Sequence, residues 1–234
     1  MYHKELTMKH MFTLAALLLL TRTLLLSGVP SKFDTQWIPS KPEVLTYRSQ
    51  GDQGNGLYQI SISRNDSIVQ LYMNIISPGF TKTVSSSMTS EMYPLQSVSK
   101  IIVNDQITMD TKCTYEKDRL SISTLMMPYN RTISNSPAFS GSVLDFSQIP
   151  LLVRTLPLTN SSEYSFTALN PQTNNLMPLT AKVLGEVLVL KVECVRVEVN
   201  DFEGQSIYTV EKGAHHRVMR VEQPAVHRVT ELIQ

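Results

Sequence analysis

Cysteine, glycine and tryptophan are scarce in this chain: 2 Cys, 9 Gly and 1 Trp in 234 residues. Two cysteines are too few for a disulfide-built scaffold or a Cys-rich zinc module. The few glycines form no phosphate-cradling loop of either the Gly-x-x-x-x-Gly-Lys or the Gly-x-Gly-x-x-Gly kind. No Gly-x-Ser-x-Gly elbow is present either, and Ser140-Gly141-Ser142 lacks the surrounding pattern. Charge of one sign is lacking too, with 21 Lys and Arg against 20 Asp and Glu. Nucleic-acid binding draws on clustered cations that neutralise phosphates. No such cluster occurs, so no nucleic-acid partner is expected.

The long apolar run is confined to the start. Met11 to Leu26 is almost wholly apolar, preceded by Lys9 and followed by small Ser27 and Gly28. A basic head, a greasy stretch and a small-residue exit form the layout of a secretory signal, with Met8 as an alternative initiator. Residues 1–28 are therefore expected to be a signal peptide or, if uncleaved, an N-terminal anchor; Arg22 interrupts the run that a full span requires. No Cys follows the run, so no lipid anchor is expected. Removal of Lys4, Lys9, Arg22 and Glu5 leaves 18 basic and 19 acidic side chains. The expected location is the periplasm or exterior of a bacterium.

What is present is alternation. Tyr58, Ile60 and Ile62 share one face while Gln59, Ser61 and Ser63 share the other, and Val69, Leu71, Met73 and Ile75 repeat the pattern after an Asn65-Asp66 turn. Period two marks strands packed on one side and wet on the other. Strands are predicted over 80–89, 95–103, 107–115, 120–126, 164–169, 179–190, 192–199, 206–210, 217–221 and 226–233, with 127–141 a loop. The predicted fold is all-β, a large antiparallel meander curled into a barrel or half-barrel. It would form a single domain, 29–234, of two strand-rich halves joined around 128–158.

One segment breaks the pattern. Ile149, Leu152, Val153 and Leu156 recur at helical spacing, so a short amphipathic helix is predicted over about 147–157, capped by Ser147 and ended by Pro157.

Candidate chemistry is thin. Export permits a Cys113–Cys194 disulfide. Alternation puts the two on opposed faces, which favours separate buried thiols. Adjacent His215 and His216 would point apart; His216 and His227 could meet across a hairpin with Glu222 or Glu231 nearby, and either His216 or His227 could serve a small hydrolase. Zinc needs three or four convergent ligands, so neither metal nor cofactor is expected.

Residues 140–234 carry a resemblance. The helix segment Asp145–Leu158, the strand Glu163–Leu169, the run Val183-Leu-Gly-Glu-Val, the Cys-bearing strand Val192-Glu-Cys-Val-Arg-Val and the closing hairpin of 206–210 and 218–222 follow a familiar order. The chain resembles a family of secreted bacterial proteins classed as domains of unknown function, with Tyr208 where many relatives carry Trp. That resemblance implies an envelope location and a curved antiparallel sheet, and no catalytic residues. The leading functional expectation is a non-catalytic module whose curved sheet binds an apolar or lipid-like molecule, lined by Met73, Met109, Met126, Met127 and Tyr208. The alternatives are a structural or assembly factor that contacts an envelope protein, and the small hydrolase.

Overall fold

The computed structural model describes residues 29–233 apart from positions 31, 53, 140, 141, 171 and 172. The expected leader, 1–28, lies outside the described residues. Fifteen strands form a single sheet. They are β1 (Glu43–Gln50), β2 (Gly56–Asn65), β3 (Ile68–Ser77), β4 (Phe80–Thr89), β5 (Pro94–Val103), β6 (Gln106–Tyr115), β7 (Leu120–Met126) and β8 (Arg131–Asn135), then β9 (Val143–Asp145), β10 (Glu163–Asn170), β11 (Asn175–Val189), β12 (Val192–Asp201), β13 (Gly204–Glu211), β14 (Val218–Gln223) and β15 (Arg228–Leu232). The helix α1 (Ile149–Thr155) lies between β9 and β10.

The order across the sheet is β8-β7-β6-β5-β4-β3-β2-β1-β15-β14-β13-β12-β11-β10-β9. Chain neighbours are sheet neighbours in antiparallel pairs, except that β8 and β9 stand at opposite edges and β9 and β10 run parallel; β1 in addition pairs with β15. The meander thus starts at the centre, runs to one edge, crosses to the other and returns. Laid flat, the fourteen inter-strand steps would set β8 and β9 about 67 Å apart. The eight residue steps from Asn135 to Val143 span about 28 Å at most. The sheet therefore has to curl, and it does so without closing.

The curl brings one end onto the inside of the other. Val143 and Leu169, on β9 and β10, pack with Cys113, Tyr115, Leu120 and Ile122 from β6 and β7. The larger core gathers inward residues of β1–β4 and β10–β14 around α1. The helix was predicted with one apolar stripe, yet Leu151, Arg154 and Thr155 are buried along with Ile149, Leu152 and Val153. A sheet wrapped around a helix leaves it no wet face.

The helix start also departs from expectation. Asp145, not Ser147, is the capping side chain. It accepts from the Ser147 amide at 2.9 Å, while Gln148 Oε1 accepts from the Asp145 amide at 2.8 Å. This capping box holds a 3-10 turn, Phe146–Gln148, and α1 starts only afterwards. Pro150 then falls in the first helical turn, where a missing N–H costs nothing.

Three strands lie where none was predicted. β1 has only Leu45 and Tyr47 buried, β8 is a five-residue edge, and β9 has three residues. Conversely, a bulge sits between the Ile101–Met109 and Ile102–Ile107 pairs. It turns Ile107 to the outer face, where it is 40% exposed, although parity would place it inward with Met109.

The same Asp145 carboxylate spans the curl. Oδ1 also accepts from Ser147 Oγ at 2.6 Å, and Oδ2 accepts from Ser97 Oγ on β5 and from Tyr115 Oη on β6, both at 2.5 Å. Asp145→Ala strands these buried donors, each worth roughly 1–3 kcal/mol when unpaired. The expected loss of stability is about 3 kcal/mol or more, read as a drop in the urea midpoint at unchanged slope.

Candidate functional site

The inner face is covered unevenly. In its middle, Ile60, Leu71, Val84 and Val197 are buried beneath or beside α1. Towards one end, a row of inward positions crosses six strands: Tyr58, Ile75, Lys82, Ile101, Met109 and Met126 are register partners in succession from β2 to β7. All six are half-buried. The row is thus a half-buried inward strip, apolar but for Lys82, near one end of the curled sheet, which we call the open end.

Of the five residues predicted to line a ligand site, two lie in this row, two are buried in the main core next to it and one lies apart. Met109 and Met126 face each other across β6 and β7. Met73 lies one inward position deeper, is buried in the main core, and accepts a hydrogen bond from Tyr58 Oη at 2.9 Å through its sulfur. Tyr208, buried on β13, acts electrostatically on Tyr58. Met127 is separate: it opens a 3-10 turn after β7 and is 48% exposed.

Lys82 was not singled out by sequence. Burial lowers its ammonium pKa, opposed by the negative charges of Glu203 and Asp145. Those two groups place the β12–β13 turn and the helix start within electrostatic reach of it. Beside them, the Phe146 and Phe202 rings pack with centroids 4.4 Å apart. Among the described residues, no carboxylate lies within 4 Å of Lys82 Nζ. Two shallow grooves lie on the outer face, over β2–β5 and β6–β8, and are lined mainly by Ser, Thr and Gln.

The other candidates are dispersed. Cys113 faces inward on β6, whereas Cys194 is out of phase with the core-facing Val195, Val197 and Val199 of β12. Both thiols are free and buried. Burial, then the nearby Asp145 charge, pushes the Cys113 thiol up to about 12, and burial likewise raises Cys194, so neither is a thiolate at neutral pH. His216 and His227 flank β14 at opposite ends, so they do not meet. His216 stacks on Trp37 with ring centroids 6.0 Å apart. His227 is exposed and lies 2.8 Å from Asp52 Oδ2 through Nδ1. Among the described residues, no hydroxyl or thiol bonds its other ring nitrogen, and no group of three metal-ligating side chains occurs.

Arg154, whose place in the last helical turn suits the helix dipole, is 1% exposed. Its Nη2 donates to Glu43 Oε2 and to the His215 carbonyl, each at 2.7 Å, its Nε donates to the His216 carbonyl at 2.9 Å, and its guanidinium carbon lies 4.1 Å from the Trp37 ring centroid. This cluster ties α1 to β1 and to the β13–β14 turn.

No protein-family model matches the chain, and no curated protein matches it. Among the described residues, no helix is long and apolar enough to cross a membrane.

Near the Arg154 cluster, Arg217 grips buried Glu211 with two bonds of 3.0 and 2.9 Å. Burial works to raise the Glu211 carboxyl, but the Arg217 bonds outweigh it and hold the group below its ordinary range. A depressed folded value means stability that is present above the unfolded carboxylate value, about 4.3, and is lost as pH falls through the lower folded value. Arg217→Met is therefore expected to lower the urea midpoint at neutral pH, with the deficit shrinking below the folded carboxyl value.

Proposed function

We propose that this protein is an exported, non-catalytic module of the bacterial cell envelope that holds an apolar, lipid-like molecule at the open end of its curled sheet. One observation carries the reading. Ile75, Ile101, Met109 and Met126 face inward yet are only half-buried, whereas the inward residues around α1 and under the β9–β10 end belong to two closed apolar clusters. Apolar area contributes roughly 25 cal/mol per Å² when removed from water, so a greasy occupant would gain what the fold leaves unburied. Two facing methionines suit such an occupant, because unbranched thioethers adapt to irregular shapes.

The test is binding of an environment-sensitive apolar fluorophore to protein spanning residues 29–234. Saturable binding is expected, and Met109→Asp with Met126→Asp is expected to weaken it at least tenfold, which corresponds to about 1.4 kcal/mol. Equal binding by the double variant overturns the reading.

A second reading, an assembly factor acting through protein contacts, is favoured by the tip of the β11–β12 hairpin. Leu188 is 66% and Leu190 is 87% exposed. β10 pairs with β11 only from Asn175 to Lys182, so the segment leading to that tip runs beyond its neighbour. Leu188→Ser with Leu190→Ser is expected to leave stability within about 0.5 kcal/mol. It should abolish crosslinking to an envelope protein in intact cells; crosslinks that survive the change exclude the tip as the contact.

A further inference from the structure

We infer that the occupant of the open end is an amphiphile with a single acyl chain and an anionic carboxylate head, oriented by Lys82; this rests on the reading that the open end binds an apolar molecule. Lys82 sits in the row between Ile75 on β3 and Ile101 on β5, its register partners on either side. A cation between two isoleucines on an inward face loses hydration without an ion pair to replace it. An anionic head there would supply the missing charge and hydrogen-bond acceptor.

The row also provides a path for the tail. From Lys82 the inward positions run to Ile101, Met109 and Met126, all apolar. Those three steps cross from β4 to β7, about 14 Å at ordinary strand spacing. A linear chain laid across the strands would touch each residue in turn, with its head at Lys82 and its end at the β7 rim.

The nearby acids do not occupy this role. Asp145 already accepts four hydrogen bonds, two on each oxygen. Glu203 is exposed on the β12–β13 turn, where solvent screens it. Both favour a charged Lys82, and among the described residues neither they nor any other side chain bonds its ammonium.

The experiment compares dodecanoate with dodecanol as competitors of the fluorophore, at neutral pH and below micelle-forming concentration, where the acid is ionised and Lys82 keeps its proton. Three proteins are used: wild type, Lys82→Met and Lys82→Arg, with urea midpoints confirming that each folds. Wild type is expected to prefer dodecanoate by about tenfold, the scale of one charge-assisted hydrogen bond. Lys82→Met should lose that preference while still binding dodecanol, and Lys82→Arg should retain it. Equal affinity of wild type for acid and alcohol overturns the Lys82 assignment and leaves the apolar site standing. A preference that persists in Lys82→Met also overturns it. Failure of both competitors to displace the fluorophore overturns the apolar site and the assignment together.

Discussion

The curled shape depends on one buried carboxylate. A fifteen-stranded sheet with edges joined by a short crossing must bend, but bending alone does not say where the far end comes to rest. Asp145 does, because it terminates β9, starts the 3-10 turn and accepts from hydroxyls on β5 and β6. Burying a charge is costly unless its lone pairs are filled, and here four donors fill them. Its satisfaction is geometric: Ser97 and Tyr115 reach it only if the β9 edge lies over the inside of those strands. Apolar packing of Val143 and Leu169 gives the seam its area, and Asp145 gives it register. Burial and the same charge then hold the Tyr115 phenol well above its ordinary value, so it remains a donor.

Much of this architecture was legible in the alternation. β2, β3, β6, β7 and β10 to β12 were visible because each carries three or more inward apolar residues in phase; β4, β5 and β13 mix serine into the inward phase and were visible by their spacing between turns. β1, β8 and β9 were not. β1 offers only Leu45 and Tyr47 as a signal, and β8 and β9 are too short to establish a period. The helix was visible in position but not in environment: a stripe of Ile149, Leu152, Val153 and Leu156 predicts one buried face. Only the wrapping of the sheet explains why Arg154 and Thr155 are enclosed too. The Ser147 cap failed because Asp145 begins a different turn, a 3-10 segment that moves Pro150 into a harmless place.

The open end was half legible. Met109 and Met126 were identified as adaptable apolar residues on an inward phase, and the register brings them together. Met127 lies apart from them because the chain leaves the sheet one residue earlier. Lys82 was missed although parity marks it, since it is in step with Val84, Ser86 and Met88, all buried. A lysine within a Ser- and Thr-rich strand reads as solvated by composition. Its significance comes from its partners on β3 and β5, and cross-strand neighbours cannot be seen in one dimension.

The pairing of β1 with β15 has a consequence for how the molecule is made. Tyr47 meets Leu232 at the middle of the sheet, so the joint between the two halves waits for almost the whole described chain to emerge. Each half can zip hairpin by hairpin as it appears, because local contacts form fastest. Until β15 arrives, β1 offers an unprotected ribbon margin to any other strand in its compartment. A newly made polypeptide of this design therefore passes through a sticky stage whose length is set by the speed at which its last strand emerges.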